Sequence, residues 1–378
     1  MRTNPFEPPS GGLSLYIHVP FCERKCCYCA FESAVPGPGD CEKWLNLLNK
    51  ELDWWNSRIG RPLLNTCYIG GGTPTVLNGP QWLRLTQIID AHFRFAPDAE
   101  VTVEANPNSL ITEHLLTWRD WRVSRVSIGV QSFDDAELKM LGRLHSASQA
   151  YCAISSALAG GFAVSADLMF GLPHQTFENW CRSLKDAVSS GIHHISLYQL
   201  SLEAGTPWEN MPKELLSDGY LPYRWAQWYM PRKGFNQYEV ANFAKAGYES
   251  RHNLNYWRSG EYLGVGAGAS GCLCGWRYKN TGVLKEYEMR LGRGLGAMES
   301  GERLDRASAA KESAVLALRT TAGIDNIAFI AVYGKSAFEE ISETLKTFPR
   351  DLYTIDEQKT TLTKKGMRVA NAIWTELV

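Results

Sequence analysis

The 378-residue sequence lacks the features that would place it in a membrane or outside a cell. No uninterrupted apolar run reaches the ~20 residues of a transmembrane helix. The opening MRTNPFEPPSGG has no apolar stretch of the signal-peptide kind. It reads as a flexible leader over 1–12 of a cytoplasmic protein, with at most peripheral membrane association. Charge of one sign is also missing: 39 Lys and Arg face 40 Asp and Glu. That balance provides no overall field to collect nucleic acid, and no nucleic-acid partner is expected. Repeats, heptads and low-complexity segments are absent. Ten cysteines in a chain of this length argue against a disulfide framework, which belongs to short secreted domains.

What is present is an alternation of strand-like and helix-like segments. Runs at 13–19, 65–72, 100–106, 125–131, 162–173 and 193–203 are β-rich. Helical patterns lie between them, beginning with a helix N-capped by Asp40 whose Leu45, Leu48, Leu52 and Trp55 share a face. Six such βα units predict an α/β protein with a parallel sheet and right-handed crossovers. Polar or glycine residues sit at the strand C-termini, where α/β folds place their sites: Gly70–Gly72, Glu104, Asn106, Gln131 and Asp167. One further strand is expected at 237–244, and a polar, Gly-rich region at 251–271. From 284 the pattern turns helical and charged, predicting a small helical, possibly winged, C-terminal domain over 284–378 after a main domain at 13–283.

Four of the cysteines crowd into YIHVPFCERKCCYCAF. Cys22, Cys26 and Cys29 are spaced C-x3-C-x2-C, and Cys27 is an additional thiol. Clustered thiolates suit an iron–sulfur cluster. A closed zinc site is the competing reading, but it wants four ligands, usually as two separated pairs. Spacing alone does not exclude exchange of Cys27 with a neighbour. Cys272-x-Cys274 follows a glycine-rich turn and reads as ordinary loop cysteines or an extra ligand pair.

The C-x3-C-x2-C loop after a first strand, with Tyr28 before its last cysteine, resembles the radical S-adenosylmethionine superfamily. YIHVPFC resembles more narrowly the branch that holds oxygen-independent coproporphyrinogen III oxidase and the HemW-type haem chaperones. The resemblance runs from about residue 13 to the end. It implies a partial (β/α)6 barrel of radical-SAM type and a [4Fe–4S] cluster on Cys22, Cys26 and Cys29. The iron lacking a protein ligand would be chelated by S-adenosylmethionine, which the reduced cluster can split to a 5′-deoxyadenosyl radical. Carried over residue by residue, Gly71, Gly72 and Thr73 of GGGTPT would bond the cofactor's ammonium and carboxylate. Glu104 of EANP would accept its ribose hydroxyls. Gln131, Arg143 and Asp167 would complete the pocket, with Arg143 forked onto the methionyl carboxylate, and Tyr16 and Tyr28 nearby. A solvated Glu104, or Tyr16 and Tyr28 as core aromatics, is the plainer reading of each residue alone.

Two residues or motifs separate the branch's members. The oxidase motif carries a cysteine two positions after the last ligand, where this chain has Phe31. HNLNYW, residues 252–257, resembles the HNxxYW signature of the chaperones. The resemblance therefore implies a protein that binds haem and passes it to haem-accepting respiratory proteins. His252 would be the axial ligand and Tyr256 and Trp257 the flat apolar seat. A buried, satisfied histidine beside two core aromatics is the alternative for this motif. Ser270 stands where the family commonly has histidine. Oxidative decarboxylation of coproporphyrinogen III is the second functional reading, and cleavage of S-adenosylmethionine in turnover is left open.

Overall fold

In the computed structural model, Phe6 and residues 11–378 are described. The rest of the leader lies outside them. Phe6 itself is buried edge-on against Trp55, at 5.0 Å between ring centroids. The chain divides into two compact units: residues up to 217 with 261–302, and residues 218–260 with 303–378.

The first unit contains six parallel strands that neighbour one another in chain order. These are β1 (Leu13–Val19), β2 (Leu63–Gly71), β3 (Arg94–Ala105), β4 (Arg125–Gln131), β5 (Ala163–Phe170) and β6 (His194–Gln199). The strands are β-branched and aromatic, and most of their residues are buried, as expected of a sheet covered on both faces. Crossover helices are α1 (Asp40–Ile59), α2 (Gly79–His92), α3 (Thr112–Trp121), α4 (Asp135–Met140), α5 (Ala147–Ala159) and α6 (Phe177–Ser189). Several begin where a side chain caps the first turn, as Asn78 with Gln81 does for α2 and Ser146 with Gln149 for α5. Among the described residues β1 and β6 share no ladder, so the sheet is an open, partial barrel.

Three details differ from the sequence reading. Gly39, in a left-handed conformation, precedes α1, and the Asp40 carboxylate instead accepts the amide of Gly37 at 2.8 Å. β3 begins at Arg94, and its register with β2 slips between Leu64 and Thr66, because Pro97 and Asp98 interrupt the apolar pattern. The polar, Gly-rich region expected at 251–271 contains strands that continue beyond it. Tyr262–Val265 pairs parallel with β1, and Ser270–Leu273 and Trp276–Asn280 form an antiparallel hairpin beyond it. Cys274 (φ +52°) and Gly275 (φ +74°) make that hairpin's tight turn. The boundary expected at 283/284 accordingly falls inside the first unit, and the helix Leu284–Gly292 belongs with it.

A buried carboxylate ties this late segment to the first crossover. Glu51 of α1 is fully buried and accepts from Gly266 N (2.8 Å), Asn280 Nδ2 (2.7 Å) and the Tyr287 hydroxyl.

The second unit holds α7 (Tyr220–Tyr229), α8 (Arg251–Trp257) and helices including Arg306–Leu318, Lys335–Lys346 and Ala370–Leu377. A small antiparallel sheet of Ile324–Asp325, Lys359–Leu362 and Tyr353–Ile355 provides the wing. Its core gathers Leu318, Ile341, Leu345 and Ile373. The strand expected at 237–244 is two short antiparallel pieces, Asn236–Gln237 and Asn242–Ala244. They are separated by a bend in which Glu239 Oε1 accepts the Ala241 amide at 2.9 Å. No helix among the described residues is long and apolar enough to cross a membrane.

Replacing Glu51 by Leu leaves the buried donors of Tyr287, Asn280 and Gly266 unpaired. The expected cost is about 2–5 kcal/mol, read as a lower urea midpoint, with Glu51→Gln milder. Burial raises this carboxyl's pKa, against the lowering effect of its hydrogen bonds. Its contribution to stability is thus full below the unfolded pKa, about 4.5, and is lost as pH rises through the folded one.

Candidate functional site

The cysteine loop leaves the C-terminal end of β1 and is closed at its base. Cys22 N donates to Ala34 O, and Ala34 N to Pro20 O, both at 3.0 Å. The glycine turn after β2 docks on it through backbone alone: Gly72 N donates to Val19 O at 2.8 Å and Thr73 N to Phe21 O at 2.6 Å. A side chain at Gly72 would drive a Cβ into those same carbonyls, and one at Gly71 (φ +104°) would strike the His18 ring. Glycine is required here by close approach of two chain segments. The amides of all three residues are therefore already paired, since Gly71 N donates to Glu104 Oε2 at 3.0 Å, and a cofactor's ammonium would be met by oxygens rather than by these N–H groups.

Cys22, Cys26, Tyr28, Cys29, Gly71, Gly72, Thr73, Glu104, Gln131, Arg143 and Asp167 line one cavity of about 290 Å³, near the lower bound of ligand pockets. Tyr16 does not line it. Its hydroxyl pairs with His18 Nδ1 at 2.9 Å, and His18 Nε2 with the Glu32 carbonyl at 2.7 Å. Burial keeps that imidazole's pKa low and the ring neutral. The relay fixes the far end of the cysteine loop from inside β1.

Both terminal nitrogens of Arg143 are engaged, while its buried Nε has no partner among the described residues. Arg143 donates to Asn106 Oδ1 and the Gly129 carbonyl, both at 2.7 Å, and to Cys26 Sγ at 3.5 Å. Thr73 Oγ1 donates to Cys22 Sγ at 3.4 Å and accepts from Asn106 Nδ2 at 3.0 Å. Two of the three thiols thus receive hydrogen bonds that orient their sulfurs, as groups behind a metal ligand do. Burial pushes the Cys29 thiol up, the direction a bound cation reverses. No three Cys, His, Asp or Glu among the described residues are gathered as ligands of a single ion.

Two carboxylates complete the cavity. Glu104 accepts from Tyr68 Oη at 2.7 Å as well as from Gly71 N, yet burial carries its pKa up to about 7. Asp167, inside β5, accepts from Ser127 Oγ at 3.2 Å, and burial raises its pKa too. Gln131 ends β4 with φ +67°, a backbone conformation costly for a non-glycine residue and found at bends that aim side chains. Sequence reading missed His18, Ser127, Gly129, Met169 and Tyr198. Ser127 and Gly129 alternate with Gln131, and Met169 with Asp167, so the two-residue period of a strand already marked them.

The second unit treats HNLNYW differently from a shallow haem seat. His252 is 0% exposed, its Nε2 is 2.7 Å from the Tyr256 hydroxyl, and burial brings its pKa down to about 3. The Arg319 guanidinium lies over the Trp257 ring (4.4 Å) and over Trp374 (4.7 Å). The motif holds α8 within its own core. Ser270 opens the first strand of the hairpin and is exposed.

A model of the radical SAM superfamily matches residues 16–187. The heme chaperone HemW of Bacillus subtilis (strain 168) is 36% identical over 96% of this chain and 98% of its own length. The protein of that name from Escherichia coli (strain K12) is 37% identical over 75% of each chain. Among solved structures, coproporphyrinogen III oxidase (HemN) from Escherichia coli, described as a radical SAM enzyme, has a TM-score of 0.85. It covers 99% of this chain and 90% of its own at 23% identity, a likeness of fold. The open α/β sheet, the cysteine loop and the family match define a radical SAM protein. Within that superfamily, the chain belongs to the HemW family.

The resemblance assigns Glu104 to the ribose hydroxyls, which a carboxylate accepts best when ionised. Affinity for S-adenosylmethionine, measured by calorimetry, is therefore expected to rise as pH passes about 7. Glu104→Gln should flatten the profile and weaken binding roughly 10- to 150-fold, for a lost charge-assisted bond of about 1.5–3 kcal/mol. Fold stability runs the other way. The raised pKa means that this group's contribution is full below 4.5 and lost as pH rises through about 7.

Proposed function

We propose that the protein is a cytoplasmic haem chaperone that binds haem and transfers it to haem-accepting respiratory proteins, with a [4Fe–4S] cluster on Cys22, Cys26 and Cys29 and S-adenosylmethionine in the cavity beside it. The observation that carries this reading is 36% identity to a protein named heme chaperone across 96% of the chain. The likeness to the oxidase is one of fold. Phe31, 67% exposed on the cysteine loop, stands where the oxidase motif has its additional cysteine.

The donor set fits the cluster. Three thiols on one loop face one cavity, and two of them are backed by Thr73 and Arg143. When bound and reduced, the cluster supplies an electron to S-adenosylmethionine. Around it, Glu104 and Asp167 offer acceptors to a cationic ligand, Tyr28 packs near Trp208 at 6.2 Å between centroids, and Arg143 fixes Asn106 and the Gly129 backbone. For haem, coordination by His252 requires breaking its contact with Tyr256 and exposing a buried ring. The haem reading is therefore carried by the relatives and not by a displayed imidazole.

Anaerobically reconstituted protein is expected to hold about four iron and four sulfide per chain. Cys22→Ala, Cys26→Ala and Cys29→Ala should each abolish this, and Cys27→Ala should not. Stoichiometric zinc in place of iron would refute the assignment. Added haem should give a shifted Soret band and co-elute with the protein. His252→Ala should keep the band position while losing about 1–3 kcal/mol of stability. Failure of the wild type to bind haem, with protoporphyrinogen formed from coproporphyrinogen III, would return the protein to the oxidase reading.

A further inference from the structure

Helix α7 turns an unusual face to solvent. Leu221, Arg224, Trp225 and Trp228 recur at helical spacing on one side, and Leu221 and Trp228 are each 53% exposed. Tyr220 is 44% exposed, and the turn after the helix adds exposed Arg232 and Lys233. From Tyr220 to Lys233 the chain contains no Asp or Glu. Lys364 and Arg368 of the same unit lie beside α7. The Lys364 carbonyl accepts from Gln227 Nε2 at 3.2 Å, and Arg368 Nε donates to Gln227 Oε1 at 2.7 Å.

The cations are set on the rings. Arg232 lies 4.2 Å from the Trp228 centroid, Lys233 5.6 Å from Tyr229 and Arg368 5.7 Å from Tyr220. Elsewhere on the surface lysines and arginines commonly pair with carboxylates, as Lys365 does with Asp351. Arg224, Arg232, Lys233, Lys364 and Arg368 take no such partner among the described residues.

A single exposed aromatic needs no explanation. Here Leu221, Trp225 and Trp228 share one face with Arg224, and Arg232 lies on the Trp228 ring, neither cation having an ion-pair partner among the described residues. Rings of this kind settle at the boundary between headgroups and acyl chains, and arginine and lysine beside them meet lipid phosphate. We propose that this face docks on the surface of an anionic lipid bilayer. The chain's near-zero net charge does not oppose it, because screening confines the interaction to about 10 Å and only the local charge is felt. An acidic protein would satisfy the cations but has no need of the exposed Leu221 and Trp228. The docking is independent of haem binding.

The test is co-sedimentation of the full-length protein with vesicles of phosphatidylcholine alone and with phosphatidylglycerol added, at about 0.1 M salt. Binding is expected with the anionic vesicles only, falling as salt rises. Arg224→Gln and Arg232→Gln should each lower partition roughly fivefold, which corresponds to about 1 kcal/mol per cation. Trp228→Ala should weaken binding at every salt concentration. Lys335→Gln, on a side chain 80% exposed in the helix Lys335–Lys346, should leave it unchanged. Equal partition of all variants, equal binding to neutral vesicles, or no binding to anionic ones would overturn the proposal. So would capture by polyglutamate, with the same variant dependence, when the vesicles are not bound. Should Trp228→Ala misfold by circular dichroism, the two glutamine variants decide.

Discussion

Two backbone hydrogen bonds, Gly72 N to Val19 O and Thr73 N to Phe21 O, hold the cysteine loop to the turn that follows β2. Everything else in the cavity is registered against this junction. It can form only if position 72 has no side chain, since any Cβ there would meet the very carbonyls that accept the bonds. Once it forms, Thr73 reaches Cys22, Asn106 reaches Thr73, and Arg143 joins Asn106 to Cys26. The thiols are thus placed by a chain of contacts from β2, β3 and the segment after β4. A site placed on strand ends in this way keeps its geometry more tightly than one carried by a loop alone.

Much of this was legible in the sequence, for a physical reason. Strand ends in a parallel sheet are marked by a change from apolar to polar or glycine residues, and the change was visible at Gly70–Gly72, Glu104 and Gln131, whereas Asp167, read as following the fifth strand, lies three residues before its end. What each group does was less legible. Arg143 looked like a fork for a carboxylate, and the structure engages its two terminal nitrogens with Asn106, Gly129 and Cys26 while its buried Nε has no partner among the described residues. The amides of the glycine turn looked available, and they are spent within the protein. Composition tells which atoms are present at a strand end, whereas their partners come from segments distant in sequence. The same distance hid the unit boundary. Tyr262–Val265 returns to pair with β1 across more than two hundred residues, and no local pattern announces such a pairing.

HNLNYW shows how a resemblance and a structure can assign different work to the same residues. Histidine, tyrosine and tryptophan are the groups a haem would want. They are also groups that bury well once each polar atom is paired. Here the imidazole faces the Tyr256 hydroxyl, and Arg319 lies over both Trp257 and Trp374. That arrangement makes the motif a strut between α8 and the helix Ala370–Leu377.

The cavity's electrostatics point to the charge of what it takes. Glu104 and Asp167 are buried, and for both burial outweighs the hydrogen bonds that favour the anion. Two cations act on Asp167, the buried Arg125 first and then Arg143, and Arg143 also bonds Cys26 and backbone and amide acceptors. Arg24 and Lys25 also line the cavity, but they are solvent-exposed on the loop, where water screens them. A neutral ligand would add no charge to offset the burial that raises both carboxyls. S-adenosylmethionine carries a sulfonium and an ammonium, and either charge beside Glu104 or Asp167 lowers that group's pKa and recovers the attraction that burial makes strong.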